Sequence, residues 1–289
     1  MDTILQAVIN GLLLGGIYAV VALGFSLVWG VMNVINVSHG AFVMLGAFAT
    51  YWLFVLFGLD PFVGAPLAMV ALFVVGYAIQ KYVINLVVRA PIYMTLILTF
   101  GLDLLIVNLG LIAWSADFRS VNTAYAGQGL VLGPLVIPYA RAGTLLVALL
   151  ASAALFAFMD RTRTGNAIRA TRMDIEAAEG VGVRIDRIYA LTFAIGAALA
   201  GLAGGLISAT LPITPIMGLT YTGKAFVVTA LGGLGNMGGA LIGGIVLGLA
   251  ETLGATLFGP GYQDAIGYVL LVLILVVRPA GLLGRAYYA

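Results

Sequence analysis

The 289-residue sequence contains no cysteine and only one histidine. Without cysteine, a chain forms neither disulfides nor thiolate metal sites, and a single histidine cannot build a histidine cluster around a metal. These absences exclude thiol redox chemistry and zinc sites of the usual kinds. The sequence therefore predicts no metal, no cofactor and no catalytic residues.

Charge is also scarce, since only 8% of the residues are charged while 63% are hydrophobic. Soluble domains contain about 25% charged residues, and the mean hydropathy here is +1.15. Because a membrane-spanning helix needs about 20 mainly apolar residues, the chain has room for about eight to ten spans and for no folded soluble domain. We predict an all-α polytopic membrane protein with a single transmembrane domain over residues 1–289, surrounded by membrane lipid. A net charge of +2 gives no indication of a nucleic-acid partner.

The apolar runs predict nine spans, one of them broken. The clear runs are Ile4–Val31, Val34–Phe57, Phe62–Ile79, Ile92–Ala113, Leu145–Met159 and Ile188–Ile207. The less regular C-terminal runs are Ala225–Leu234, which is too short to span, Ala240–Leu257, and Ile266–Val277, which needs extension back to Tyr262. An odd number of crossings places the two termini on opposite sides of the membrane.

The segment 160–187 concentrates charge, with six of the thirteen basic and five of the eleven acidic residues. Because successive spans cross the membrane in alternating directions, Lys81, Arg89, Arg278 and Arg285 are expected on the same side. Lys and Arg are enriched in cytoplasmic loops, so this side is predicted to be cytoplasmic, with the N-terminus outside and the C-terminus inside. Residues 114–141 then form an external loop, which has room for a short surface helix.

Small residues recur at close spacing within the apolar runs. The glycines in question are Gly11, Gly15, Gly16, Gly196, Gly201, Gly204, Gly205, Gly239, Gly243, Gly244 and Gly248. Small residues four positions apart allow helix backbones to approach closely in lipid. They predict a densely packed bundle.

The stretch DIEAAEGVGVRIDRI, which begins at Asp174, predicts a short helix on the cytoplasmic side. Asp174 is a suitable N-cap, Glu176 falls in the first turn where a carboxylate stabilises the helix dipole, and Gly182 suits the C-terminal stop. The expected helix is about two turns long. The alternative is a solvated loop that only sets the membrane topology.

This short helix has features of a docking element. Ile175, Ala178 and Gly182 share one face, with Ala177 beside it, and small side chains on that face would fit into a groove of another protein. The preceding run carries Arg169 and Arg172, which are placed to pair with acidic residues at the rim of such a groove.

The segment EAAEGVG, with Glu176, Ala177 and Ala178 followed by Gly182, resembles the EAA loop of ABC-importer permeases. In that family the loop forms a coupling helix that docks on the ATP-binding subunit. The later Ile and Leu-Pro of the family pattern are replaced here around Thr192 and Phe193.

A second resemblance extends over nearly the whole chain. The runs NGLLLGGIYAVVALGFSLVWGVMNVINVSHGAF, RTRTGNAIRA, GLAGGLISA and ALGGLGNMGGALIGG are similar to permease subunits of branched-chain amino-acid ABC importers. The resemblance implies alternating access, two ATP-binding subunits, a second permease subunit in what is often a heterodimer, and an extracytoplasmic binding protein. Permeases for urea and short amides look very similar, and sugar permeases are more distant.

The octapeptide GLTYTGKA, from Gly218 to Ala225, almost matches a P-loop. It ends in Ala225 where a P-loop has the Ser or Thr that binds Mg²⁺, and no strand precedes it. We therefore assign ATP hydrolysis to a partner subunit. Lys224 is instead expected to anchor a helix end or a half-helix.

Two polar interruptions of apolar runs are candidates for the translocation pathway. One contains Asn33, Asn36, Ser38 and His39, and the other contains Asn236. Broken backbone in a membrane is tolerated where it lines a cavity or is buried in protein, and paired interruptions in two halves of a transporter mark binding sites. The two segments share a loose pattern that indicates broken helices and an inverted repeat. The alternative is that the first cluster lies at a membrane interface.

Asp103 and Glu251 lie within apolar segments, where a carboxylate is costly and is a functional candidate. Either could couple protons in a self-sufficient secondary transporter, which is the rival function. In structural roles, Asp103 would bond Asn108 or a neighbouring span, and Glu251 would lie near a helix end with Thr252.

Overall fold

A computed structural model describes residues 2–88 and 90–284; Arg89 and Arg285, two of the basic residues used to orient the chain, lie outside this part. The described residues form eleven α-helices and one two-stranded β-hairpin. The helices are α1 (Asp2–Met32), α2 (His39–Phe57), α3 (Pro61–Tyr82), α4 (Ile92–Trp114), α5 (Tyr139–Arg161), α6 (Arg163–Met173), α7 (Ile175–Gly180), α8 (Ile185–Ser208), α9 (Gly218–Gly232), α10 (Met237–Phe258) and α11 (Gln263–Val277). The strands are β1 (Gly129–Leu132) and β2 (Leu135–Pro138).

Eight helices of the described ranges are long and apolar enough to cross a membrane. They are α1 to α5, α8, α10 and α11, where α3 and α11 are counted with the short 3₁₀ turns beside them. Helix α9 has 15 residues, fewer than the roughly 20 that a span requires. This confirms the all-α polytopic class, and α9 takes the place of the broken ninth span.

Helices α1 and α8 form the centre of the bundle, since both bury nearly nine tenths of their apolar stretches. Helix α10 packs along α1, while α2 and α3 pack along α8. Helices α4 and α11 lie at the periphery and leave large apolar side chains such as Ile112 and Val276 about four-fifths exposed. Such a surface suits lipid, because lipid tails are as apolar as these side chains.

The closely spaced glycines allow α1 and α10 to pack tightly, as the sequence predicts. A Cβ atom on Gly15 would lie 2.7 Å from the Cα of Ile245, and one on Gly244 would lie 2.6 Å from the backbone nitrogen of Ala19. Neither position can accept a larger residue unless the helices separate. The small residues thus set the distance between these two helices.

The segment between α4 and α5 contains a β-hairpin, so the short surface helix considered for residues 114–141 is wrong. The two-residue turn 133–134 joins the strands, and Gly133 has φ +61°, a conformation that glycine adopts without steric cost. Burial of the Tyr125 ring and a 2.8 Å hydrogen bond to Asp60 raise the pKa of Tyr125 to about 12. The side chain of Gln6 bonds the backbone of Val136 at 2.8 and 2.9 Å, which ties the hairpin to the start of α1.

Candidate coupling surface and translocation site

Helix α7 forms where the sequence predicts it. The Asp174 carboxylate accepts a 2.9 Å hydrogen bond from the backbone N–H of Ala177 and so caps the helix. After Gly180 the chain turns at Gly182, which has φ +90° and donates its N–H to the Glu179 carbonyl at 2.9 Å. Both caps are local, so this sequence specifies a short, well-delimited helix.

The orientation of α7 differs from the sequence-based expectation at Ala178. This side chain is only 2% exposed and belongs to the hydrophobic core of the chain itself. Ile175 is 45% exposed, and Glu176 and Ala177 are also exposed. Of the residues predicted to share this face, Ala178 therefore packs inward, because α7 needs apolar contact with its own chain to stay folded at such a short length.

Arg169 is paired within the chain and not left open for an acidic partner. Its guanidinium forms a salt bridge with Asp160 and donates to the Met159 carbonyl at 2.6 Å. Arg172 is exposed and lines a cleft of about 200 Å³ together with Gly235 and Asn236. Of the two arginines, Arg172 is therefore the one available to a partner.

Two apolar residues beside α7 were missed in the sequence-based selection. Met173 is 86% exposed and Val181 is 81% exposed, in a segment too rich in charge to lie in lipid. The sequence signal was the presence of large apolar residues within a charged loop. We define the coupling surface as the exposed residues Met173, Ile175, Glu176, Ala177 and Val181.

The first predicted polar interruption lies deep inside the bundle. Ser38 and His39, at the start of α2, are both fully buried. His39 Nε2 donates to the Val21 carbonyl at 2.8 Å, eleven residues before the end of α1. At 1.5 Å per residue that point is roughly 16 Å from the helix end, so α2 begins within the bundle.

Neighbouring residues satisfy part of the hydrogen bonding of this interruption, while the buried His39 Nδ1 has no partner among the described residues. Asn36 is buried and accepts from Ser38 Oγ at 2.7 Å. The Thr99 hydroxyl accepts from the backbone N–H of Val37 at 3.2 Å. Asn33 differs, since it is exposed and has φ +54°.

The start of α9 meets the start of α2. The Thr222 hydroxyl accepts from the N–H of Gly40 at 2.8 Å and donates to the Val37 carbonyl at 3.1 Å. Gly40 and Gly218 are in such close contact that neither has space for a Cβ atom. The N-termini of two helices thus converge inside the protein, where their dipoles create a positive potential.

Asn236 does not join this convergence. It caps α10 by accepting from the N–H of Gly239 at 3.1 Å, and it donates to the Leu283 carbonyl at 2.9 Å. It lies in the cleft with Arg172, at the same end of the molecule as α6. The segment paired with 33–38 is therefore 209–217, which leads into α9.

Lys224 and Glu251 form a buried ion pair. Lys224 Nζ lies 2.7 Å from both Glu251 oxygens, donates to the Tyr18 hydroxyl at 2.8 Å and lies 2.9 Å from Asp264. Tyr18 in turn donates to Glu251 at 2.7 Å. We call Tyr18, Lys224, Glu251 and Asp264 the charge cluster.

The surroundings of Lys224 and Glu251 agree with the rejection of a P-loop and correct the expected pairing of Glu251 with Thr252. The residues of GLTYTGKA form the helix α9 and not a phosphate-binding loop. Thr252 bonds the Gly248 carbonyl of its own helix at 2.8 Å and takes no part in the cluster. Lys224 therefore neutralises a carboxylate at a position where a charge would otherwise be costly.

Asp103 remains a separate feature of α4. It is 7% exposed, and its Oδ1 has no hydrogen-bond partner among the described residues. Asn108 donates to the Leu104 carbonyl at 2.7 Å, so the expected bond from Asn108 to Asp103 is wrong. Within residues 2–88 and 90–284, no three acidic or histidine side chains converge as metal ligands.

Two cavities open near the hairpin and have volumes of about 460 and 630 Å³. The first lies between the hairpin and the start of α1, and the second reaches Lys224 and Asp264. Their shared lining residues are Asn10, Arg141, Thr210 and Leu211. The two cavities are therefore adjacent, and we call them together the hairpin-side cleft.

Comparison with known proteins adds the family context. The family model described as "Branched-chain amino acid transport system / permease component" matches residues 7–276. The permease protein BraD of Pseudomonas aeruginosa, named for high-affinity branched-chain amino acid transport, is 34% identical, with 97% of this chain and 96% of BraD covered. LivH of Escherichia coli K12, with the same description, is 33% identical, with 97% and 96% covered. The probable LivH permease of Methanocaldococcus jannaschii is 27% identical, with 95% and 91% covered.

Proposed function

The chain belongs to the family of permease components of branched-chain amino-acid transport systems, and we propose that its own substrates are branched-chain amino acids moved inward. As a member of this family it is a multi-pass transmembrane permease subunit of an ABC importer. The substrate proposal is supported by the names of relatives that match nearly the whole chain. Energy comes from ATP bound by another subunit, and the permease converts it into alternating access.

The coupling surface is the proposed contact with the ATP-binding subunit. The observation that carries this proposal is the exposure of Met173 and Val181 on either side of α7, in a segment that is too charged to enter lipid. Exposed apolar side chains surrounded by charge are typical of docking sites. Glu176 and Arg172 then contribute polar contacts at the edge, while Ala178 fixes α7 to the permease.

The same assignment orients the chain in a bacterial-type inner membrane. The end that contains α6 and α7 faces the cytoplasm, because the ATP-binding subunit acts there and because Lys and Arg are enriched in cytoplasmic loops. The N-terminus and the hairpin then lie outside, and Arg278 lies inside. An extracytoplasmic binding protein delivers substrate to the hairpin side.

Two membrane subunits are proposed to form the transport path. The second permease is a related chain in a heterodimer, and each of the two permeases contacts one ATP-binding subunit. The convergence of α2 and α9 supports a path near the centre of the membrane, since paired interruptions mark such sites in transporters. Asn36, Ser38 and His39 are the proposed pathway residues of this convergence, while Asn33 and Asn236 lie toward the cytoplasmic side of the path.

The docking proposal is tested by co-purification of the tagged permease with its ATP-binding subunit. Met173→Asp and Val181→Asp are expected to abolish recovery of that subunit, because each places a charge within an apolar contact. Glu176→Arg tests the polar edge in the same way. All three variants should still insert in the membrane and keep the thermal stability of the wild-type permease.

Phe118→Asp is the matched control, since Phe118 is 80% exposed and lies on the hairpin side. It changes an equally exposed apolar residue at the opposite end of the molecule, so the ATP-binding subunit should be recovered in full. Full recovery with Met173→Asp and Val181→Asp would refute the assignment of the coupling surface. Equal losses with Phe118→Asp would show that the assay reports general damage.

A further inference from the structure

The hairpin-side cleft presents two opposite charges. Arg141 lies at the start of α5, where its only hydrogen bond to a described residue is a long one of 3.5 Å to Asn10 Oδ1, and no described acidic residue pairs with it. Asp264 lines the same cavity, and its side chain is 63% exposed although one oxygen contacts Lys224. The cleft therefore holds a guanidinium with unused donors and an accessible carboxylate.

Part of the wall of the cleft that carries these charges is apolar. Leu13, Leu14 and Ile17 of α1 line it, together with Leu211 from the segment after α8. An apolar wall stabilises an aliphatic group by removing it from water, at about 25 cal/mol per Å². Two opposite charges beside such a wall are complementary to a zwitterion with an aliphatic side chain.

We propose that the hairpin-side cleft is an access subsite for an aliphatic zwitterion, in which Arg141 binds the α-carboxylate and Asp264 binds the α-ammonium group. Arg141 suits a carboxylate because its planar donors can form two parallel hydrogen bonds. The leucine and isoleucine side chains of α1 contact the aliphatic group. This inference rests on the proposed function and adds where and how the permease itself recognises the substrate.

The charge cluster forms the inner end of the subsite. Lys224 has three N–H donors, and these are already directed to Tyr18, Glu251 and Asp264. A substrate carboxylate is therefore expected to bind at Arg141, most of whose donors are unused, in preference to Lys224. Glu251 is 1% exposed, so the cluster also closes the cleft toward the centre of the bundle.

The absence of cysteine from the sequence permits a direct test. Thr220 lines the cavity and is exposed, so Thr220→Cys introduces a single thiol into the cleft of this chain. The assembled importer in proteoliposomes, without nucleotide, is treated with a membrane-impermeant maleimide from the side opposite the ATP-binding subunits. With leucine at ten times its dissociation constant, about one-tenth of the sites remain free, so labelling should slow about tenfold.

The chemistry of recognition is tested with three ligands and matched variants. Isocaproate lacks the ammonium group and isopentylamine lacks the carboxylate, so both should protect the thiol less than leucine does. Arg141→Gln and Asp264→Asn should remove protection by leucine, while Arg141→Lys restores part of it. Asp117→Asn, an exposed carboxylate outside the cleft, should keep full protection.

Further controls separate folding from recognition. Recovery of Arg141→Gln with its ATP-binding subunits establishes that the variant is assembled. A thiol introduced by Ala116→Cys, on the exposed segment after α4, should react at the same rate with and without leucine.

Three outcomes would overturn the subsite: no labelling of Thr220→Cys from the hairpin side, equal protection by leucine and isocaproate, or protection that survives Arg141→Gln. ATP-driven leucine uptake by the wild-type importer with its binding protein tests the proposed function separately. If uptake occurs and protection fails, only the subsite is wrong. If leucine is not transported at all, the proposed substrate is wrong.

Discussion

Lys224 Nζ lies 2.7 Å from both carboxylate oxygens of Glu251, and neither side chain is more than 10% exposed. The two residues come from different helices, α9 and α10, so their attraction holds the short helix α9 against its neighbour. A buried ion pair costs desolvation of both charges, and removal of one partner leaves the other uncompensated. Single and double substitutions of Lys224 and Glu251 should therefore have different effects on stability, which tests the role of the pair.

Lys224→Met is expected to lower the free energy of unfolding by about 3–5 kcal/mol, since Glu251 is then left buried without a cation. Glu251→Gln should cost less, because Lys224 keeps Asp264 at 2.9 Å as a counter-ion. The double variant Lys224→Met with Glu251→Leu should lie near the wild type. Thermal unfolding in detergent measures all three, and a Lys224→Met protein as stable as wild type would contradict the ion-pair role.

Gly248→Ala is expected to destabilise the contact between α1 and α10. The new Cβ atom would lie 2.5 Å from both the Gly11 carbonyl oxygen and the Gly15 nitrogen, so the helices must separate. Overpacking of this kind costs about 1–3 kcal/mol. Thermal unfolding of the purified chain would show the loss as a lower midpoint.

Gly101→Ala is the matched control for this prediction. Gly101 also lies within a helix, α4, but no atom lies within 4 Å of the position of its missing Cβ. Replacement of a helical glycine by alanine should therefore stabilise by roughly 0.5–1 kcal/mol. Equal behaviour of the two variants would show that close packing does not limit the α1–α10 contact.

The sequence predicts those features that depend on residues close together along the chain. The caps at Asp174 and Gly182 bond residues within a few positions of themselves, so the sequence alone specifies α7. The spans follow in the same way from runs of apolar residues, because each helix satisfies its own backbone in lipid. The polar interruption at Ser38 and His39 was also visible as a break in such a run.

The partners of these features depend on tertiary structure and could not be predicted. Thr222 bonds residues more than 180 positions away in the sequence, and no local pattern indicates that contact. Helical periodicity groups Ile175 with Ala178 but does not tell that Ala178 packs against its own chain while Ile175 stays 45% exposed. The hairpin, in contrast, could have been predicted. Gly133 followed by proline between two short apolar runs is a turn signal, which the prediction of a surface helix did not take into account.

Asp103→Asn is expected to leave ATP-driven leucine uptake within about twofold of wild type, since energy comes from ATP and one oxygen of the carboxylate has no partner to lose. Uptake by the reconstituted importer should likewise be unchanged when a protonophore removes the proton gradient. A secondary transporter would fail in both assays. Loss of uptake in Asp103→Asn together with sensitivity to the protonophore would therefore favour proton coupling over ATP coupling.

Ala177 and Ala178 are adjacent and chemically identical, yet one is exposed and the other is 2% exposed. Ala178→Leu adds three carbon atoms to the packed side of α7, so it should lower the free energy of unfolding of the permease by about 1–3 kcal/mol. Ala177→Leu adds the same atoms on the coupling surface, so the permease should keep its stability. Less ATP-binding subunit should then co-purify with it. Thermal unfolding and co-purification measure the two effects independently. If Ala178→Leu instead left stability intact and blocked docking, the inward orientation of that face would be wrong, and the small residues of α7 would themselves form the contact with the partner.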